Sequence, residues 1–137
     1  MFVDASAIVA ILGRESEADR FADLLEEASV SITSPIAIFE AVLGLCRKRH
    51  ASVGKTQADV QEFLSIAGIE CVPITTTDSQ TALAAFSRYG KGTGHPAQLN
   101  LGDCFAYAVA RNRRMPLLFK GDDFNKTDIG RAAQRSS

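Results

Sequence analysis

Short apolar runs alternate with longer amphipathic stretches along this chain, and the alternation predicts its elements. Met1 to Val3 is apolar and ends at Asp4; after Ala5 and Ser6, Ala7 to Leu12 has the composition of a helix start, interrupted at Gly13. Glu15 to Ala28 is rich in Ala, Leu, Glu and Asp, with Phe21, Leu24 and Leu25 at helical spacing. Val30 to Thr33 reads as a strand. Ser34-Pro35 then starts a helix running to about His50, a hydroxyl cap followed by proline at the first helical position. Lys55 to Ala67 and Thr77 to Tyr89 are further amphipathic helices, separated by a strand over Cys71 to Ile74 that Pro73 assigns to a sheet edge. Gly90 to Pro96, GKGTGHP, reads as a flexible loop. Asn100 opens a helix through Ala110, Pro116 to Phe119 is a buried strand, and Asp128-Ile129 adds a short edge strand. The polar tail from Arg131 to Ser137 is expected to fray.

Short strands alternating with helices imply βαβ units and a mostly parallel sheet covered on both faces. A chain of 137 residues, 46% of them apolar, fills one core without staples, so a single domain over 1–137 is expected. In such sheets ligands bind beyond the carboxyl ends of the strands. Asp4 follows MFV and the pair Asp122/Asp123 follows PLLFKG, both at such ends.

Charge and cysteine content narrow the function. A net charge of -1 excludes the global basic field that holds a protein on nucleic acid, so any such contact is local. Cys46, Cys71 and Cys104 form no CxxC pair and no complete disulfide set, and Cys46 and Cys104 read as small core hydrophobes in a reducing compartment. The start has no basic leader, and no apolar stretch approaches the roughly 20 residues that cross a bilayer. The expectation is a cytoplasmic protein with no membrane association.

The chemistry lies in carboxylates that break apolar runs. Glu40 is surrounded by Ile36, Ala37, Ile38, Phe39, Ala41, Val42, Leu43 and Leu45, where an isolated ionised carboxylate is expensive. A buried ion pair or a protonated side chain is the plain alternative. Asp103, in Asn100-Leu-Gly-Asp103, is explained equally by capping, but Cys104, Phe105 and Ala106 turn its helix face inward. Asp4 by itself reads as a helix cap assisted by Ser6, and Asp122/Asp123 as turn residues after Gly121. Together they are acids from four distant segments, Asp4 and Asp122/Asp123 at strand ends with Glu40 buried between them, and brought into one place they repel unless protons or a cation neutralise them. Oxygen donors without clustered His or Cys suit Mg²⁺, or Mn²⁺, rather than Zn²⁺. His50 and His95 read as surface residues. Magnesium held by carboxylates binds phosphate oxygens and activates water, which points to phosphodiester hydrolysis. Basic runs at Arg47-Lys48-Arg49 and around Arg111, Arg113 and Arg114, with Lys91, read as solvated helix ends and loop; Lys120, beside the acidic pair, is the candidate phosphate contact.

The motifs MFVDASAIVAIL, SPIAIFEAVLGL, YGKG, LNLGDCFAYAVA and PLLFKGDDFNKTDI resemble those of the PIN-domain ribonucleases, most closely the VapC-type toxins, over nearly the whole chain. The resemblance implies an α/β, PIN-like three-layer sandwich and a metal-dependent endoribonuclease acting as the toxin of a toxin-antitoxin pair. Asp4, Glu40 and Asp103 match the family's acidic positions, with metal on Asp4 and Asp103. Ser6 matches the neighbouring hydroxyl and is taken with Lys120 as substrate-binding. The fourth acid falls in GDDF, where Asp122 and Asp123 stand equal. RNA as substrate, a cognate antitoxin that blocks the site and a homodimer are implied as partners. A non-catalytic binding module, or a nuclease acting on DNA, are the alternatives.

Overall fold

The computed structural model describes residues 1–129. Their order is β1 (Phe2–Val3), α1 (Ala5–Leu12), α2 (Ala18–Glu27), β2 (Ser31–Thr33), α3 (Pro35–Arg49), α4 (Val53–Ala67), β3 (Ile69–Cys71), α5 (Thr76–Tyr89), α6 (Leu101–Asn112) and β4 (Leu117–Leu118), then a 3-10 turn at Asp123–Lys126. The strands form one sheet in the order β3-β2-β1-β4, with every pairing parallel.

Strand periodicity sorts the core into two. Phe2, Ile32 and Leu117, aligned across the sheet, face one cluster with Ala82, Ala85, Tyr89, Cys104, Tyr107 and Val109 of α5 and α6. Val3, Leu118 and Ile69 face the other, with Ile8, Phe21, Leu25, Leu45, Val60 and Leu64 of α1 to α4. This is the expected three-layer arrangement. Two-sided burial is why these strands read as continuous apolar runs rather than alternating ones.

Caps fix the helix starts. Ser34 Oγ accepts the Ala37 N–H (3.1 Å) with Pro35 next to it, and α4 ends at Gly68, whose φ of 69° favours glycine. Both α5 and α6 open with full capping boxes, Thr75 with Asp78 and Asn100 with Asp103.

Several expectations shift. The strand expected over Cys71 to Ile74 lies at Ile69–Cys71, because three register pairs to β2 outweigh the apolar Val72 and Ile74; it does occupy the sheet edge. The helix expected from Glu15 starts at Ala18, and Glu15 sits in the preceding turn. Asp128-Ile129 forms no strand: the Asp128 carboxylate accepts from Tyr107 Oη and from Arg111 Nη1 (2.8 Å), which tie it to α6. Gly90 to Pro96 consists of turns, closed by a parallel bridge between Gly90 and Leu99. His50 is exposed, but His95 is half-buried, its ring edge-on to Tyr89 with Nδ1 accepting the Ala97 N–H. The tail expected to fray lies outside the described residues. Among the described residues no helix is long and apolar enough to cross a membrane.

Candidate active site

Asp4 is the first residue after β1 and the N-cap of α1, 5% exposed. Its backbone N–H continues the β1–β4 ladder by donating to Leu118 O (3.0 Å). Its Oδ2 accepts from Ser6 N (3.1 Å) and Ser6 Oγ (2.6 Å). Ser6 Oγ in turn accepts the Lys120 N–H (2.9 Å), joining the ends of β1 and β4 through one hydroxyl. The Ser6 hydroxyl is thus engaged on two sides within the protein, and it holds the Asp4 carboxylate in one orientation.

Glu40 reaches the same place from the middle of α3. It is half-buried rather than sealed in a core, because its helix turns Phe39 (65% exposed) and Leu43 (37%) toward solvent. Its carboxylate packs against Gly102 in the first turn of α6. The next residue is Asp103, whose Oδ2 accepts the Asn100 N–H (3.1 Å) while its own N–H is capped by Asn100 Oδ1 (2.9 Å). The capping role of Asp103 is therefore real, and it coexists with membership of the cluster.

The titration of these groups records their mutual proximity. Burial, and then the charges of Asp4 and Asp103, push Glu40 up to about 7. Burial pushes Asp103 up to about 6; the Asn100 hydrogen bond opposes this, while the charges of Asp4 and Asp123 add to it. Asp4 is raised by burial, against the hydrogen bonds from Ser6 and the Ala5 backbone. Among the described residues no ion pair reaches Asp4, Glu40, Asp103 or Asp123. Negative charge is concentrated here, with no cation of the described residues paired to it.

The same field separates the two acids of GDDF. The charge of Asp123 acts on Asp103, whereas Asp122 stands at the N-cap position of the 3-10 turn, makes no side-chain capping bond, and accepts a long bond from Asn125 Nδ2 (3.5 Å). Lys120 lies at the rim, but its ammonium is bound to the carboxylates of Glu15 and Glu17, and Glu15 also holds Lys48. The sequence reading missed Glu15 because it fell inside an expected helix, with no local signal of a partner 105 residues away. Burial and the neighbouring Asp103 push the Cys104 thiol up to about 11, so it is an inert core residue and not a nucleophile.

The donors suit a hard divalent cation: all are carboxylate oxygens, and their raised titration is what a bound cation would reverse. Among the described residues no three His, Cys, Asp or Glu side chains stand as a ready-made cage. The fit is therefore one of donor chemistry and charge, for an ion that takes one or two carboxylates and keeps its waters.

Comparison with known proteins agrees with this architecture. The sequence profile of the PIN domain matches residues 1–130. The chain is 40% identical over 135 residues to VapC ribonuclease Mb0625 of Mycobacterium bovis, covering 98% of this chain and 99% of that one. It is 40% identical over 140 residues to VapC ribonuclease R02377 of Rhizobium meliloti, covering 94% and 99%. Among solved structures, Mycobacterium tuberculosis VapC20, described as a sarcin-ricin loop cleaving toxin, superposes with a TM-score of 0.73 at 15% identity, covering 93% of this chain and 95% of that one. A toxin-antitoxin complex from Klebsiella pneumoniae gives 0.66 at 19% identity, covering 90% and 88%. At those identities the structures speak for the fold alone. With a profile match over nearly its whole length and full-length relatives at 40% identity, the chain belongs to the PIN-domain family, among the relatives of the VapC ribonucleases.

Proposed function

We propose that this protein is a Mg²⁺-dependent endoribonuclease, with Mn²⁺ as an alternative ion, and the toxin of a toxin-antitoxin pair. The observation that carries the reading is the convergence of Asp4, Glu40 and Asp103, each raised by burial, with Glu40 raised further by the charges of Asp4 and Asp103 and Asp103 by those of Asp4 and Asp123, and with no ion pair to them among the described residues. The ribonuclease names of full-length relatives supply the substrate class.

In this reading Asp4 and Asp103 hold the ion, which supplies charge neutralisation on the phosphodiester and a more acidic water. Ser6 fixes the Asp4 carboxylate through its two hydrogen bonds and keeps the β4 end in register with it. Glu40 orients the attacking water and takes its proton as the water oxygen bonds to phosphorus; the phosphorus–oxygen bond to the ribose oxygen breaks, and that oxygen takes a proton from solvent. Asp123 is the fourth acid of the site. Lys120 at the rim leaves Glu15 and Glu17 for an RNA phosphate oxygen. A cognate antitoxin that blocks the pocket, and a homodimer, belong to the same reading.

The test is cleavage of total RNA by the purified protein with Mg²⁺ and with EDTA. The proposal expects fragments with Mg²⁺, none with EDTA, and a loss of about 10²–10³-fold in Asp4→Asn and Glu40→Gln with the fold retained. Cleavage undiminished by EDTA, or full activity in both variants, contradicts it. Equal cleavage of single-stranded DNA would move the substrate class.

A further inference from the structure

Gly102 is buried at the second position of α6, one residue before Asp103. Its backbone is helical, with no positive φ, so conformation does not call for glycine here. Local preference opposes it, since glycine in a helix is less favourable than alanine. The reason is tertiary. A Cβ at this position would fall closer than 3.0 Å to Oε1, Oε2 and Cδ of Glu40, a separation that real Cβ atoms essentially never show. The Glu40 carboxylate occupies the space that any side chain at 102 would need.

We infer that Gly102 is a positioning residue: its missing side chain forms the seat that fixes the Glu40 carboxylate beside Asp103. The inference rests on the proposed hydrolytic role of the acids and goes beyond it. Because the seat and Asp103 are consecutive in one helical turn, the spacing of the two carboxylates depends on how closely the bare α6 backbone at 102 lets the Glu40 carboxylate approach. The three atoms nearest a methyl group at 102 all belong to the far end of Glu40, a flexible side chain, so the first adjustment is displacement of that carboxylate rather than separation of the helices. The expected defect is therefore in chemistry and not in folding. Shortening Glu40 by one methylene retracts its carboxylate and makes room for the methyl.

The experiment compares the full chain as wild type, G102A, E40D, G102A/E40D and E40Q. It follows RNA cleavage with Mg²⁺, Mn²⁺ affinity by calorimetry and the Tm without metal. G102A should lose about 10²-fold in cleavage rate, the scale of a misplacement of about 1 Å, and bind Mn²⁺ more weakly, with a metal-free Tm no lower than wild type. G102A/E40D should cleave about tenfold faster than G102A, because the second change relieves the first. A G102A protein that matches wild type in rate and Mn²⁺ affinity while E40Q is inactive overturns the inference and leaves the hydrolytic reading intact. A double variant no faster than G102A also overturns it. If G102A fails to fold, G102A/E40D must fold, and its failure to do so is equally contrary. Wild type without metal-dependent cleavage, or E40Q with full activity, sinks the hydrolytic reading instead.

Discussion

Asp78 and Asp103 occupy the same position in the same local motif, the third residue of a helix whose capping box they close, and their electrostatics are opposite. Asp78 is buried, and burial alone would raise it. Hydrogen bonds from Thr75 N–H (2.9 Å), Asn112 Nδ2 (2.8 Å) and Arg113 Nη1 (3.2 Å), with the charge of Arg113, instead hold it below the usual carboxylate range. Asp103 keeps the capping bond but meets Asp4, Glu40 and Asp123 where Asp78 meets an arginine. One box is a structural joint between α5 and the end of α6; the other leaves charge that only a proton or a cation can neutralise. Local sequence rules are thus blind to the distinction that defines the site, which lies wholly in tertiary neighbours.

Exchanging the charge at the two positions separates the roles most sharply. Asp103→Asn should lower RNA cleavage by about 10²–10³-fold while leaving metal-free stability equal or higher, since the amide oxygen still accepts the Asn100 N–H. Asp78→Ala should do the reverse. It removes the partner of Arg113, whose side chain is only 26% exposed, at a cost of about 3 kcal/mol in chemical denaturation, with cleavage per folded molecule unchanged. Comparable losses of stability in both variants would erase the contrast.

A smaller effect follows from pH. Glu40 and Asp103 take up protons in the folded state at about 7 and about 6, against 4.5 and 3.8 as ordinary carboxyls. Between pH 5 and 8 the folded protein therefore holds more protons than the unfolded chain, and metal-free stability should fall as pH rises through this window. After discounting for solvent around these half-buried groups, the change is about 1 kcal/mol, roughly 4 °C in Tm. In Asp103→Asn the slope should flatten, and in Asp78→Ala it should not. A metal-free Tm that rises across the same range would contradict the crowding of these acids.

Much of this was legible in the sequence because helix periodicity and caps are local. Ser34-Pro35, Asn100 and the apolar runs around β1 and β4 each fixed an element by short-range chemistry. Asp4 and Asp103 were visible as acids at strand and helix ends. What escaped depends on partners distant in sequence. Pairing with β2 moved β3 to Ile69–Cys71, and Tyr107 with Arg111 claimed Asp128 from an expected strand. Asp122 and Asp123, adjacent and chemically identical, are told apart only by a neighbour distant in sequence, Asp103, on which Asp123 acts. The all-apolar surroundings of Glu40 suggested full burial; in the fold Phe39 and Leu43 face solvent, and the charges of Asp4 and Asp103 add to desolvation in setting Glu40 apart.

The most direct test of the account is calorimetric titration of Mn²⁺ into wild type, Asp103→Asn and Asp78→Asn at pH 7.5. Binding to wild type and Asp78→Asn alike, and its loss in Asp103→Asn, is the predicted result. Absence of binding to wild type at millimolar Mn²⁺, or equal binding by Asp103→Asn, would contradict a cation site built on these carboxylates.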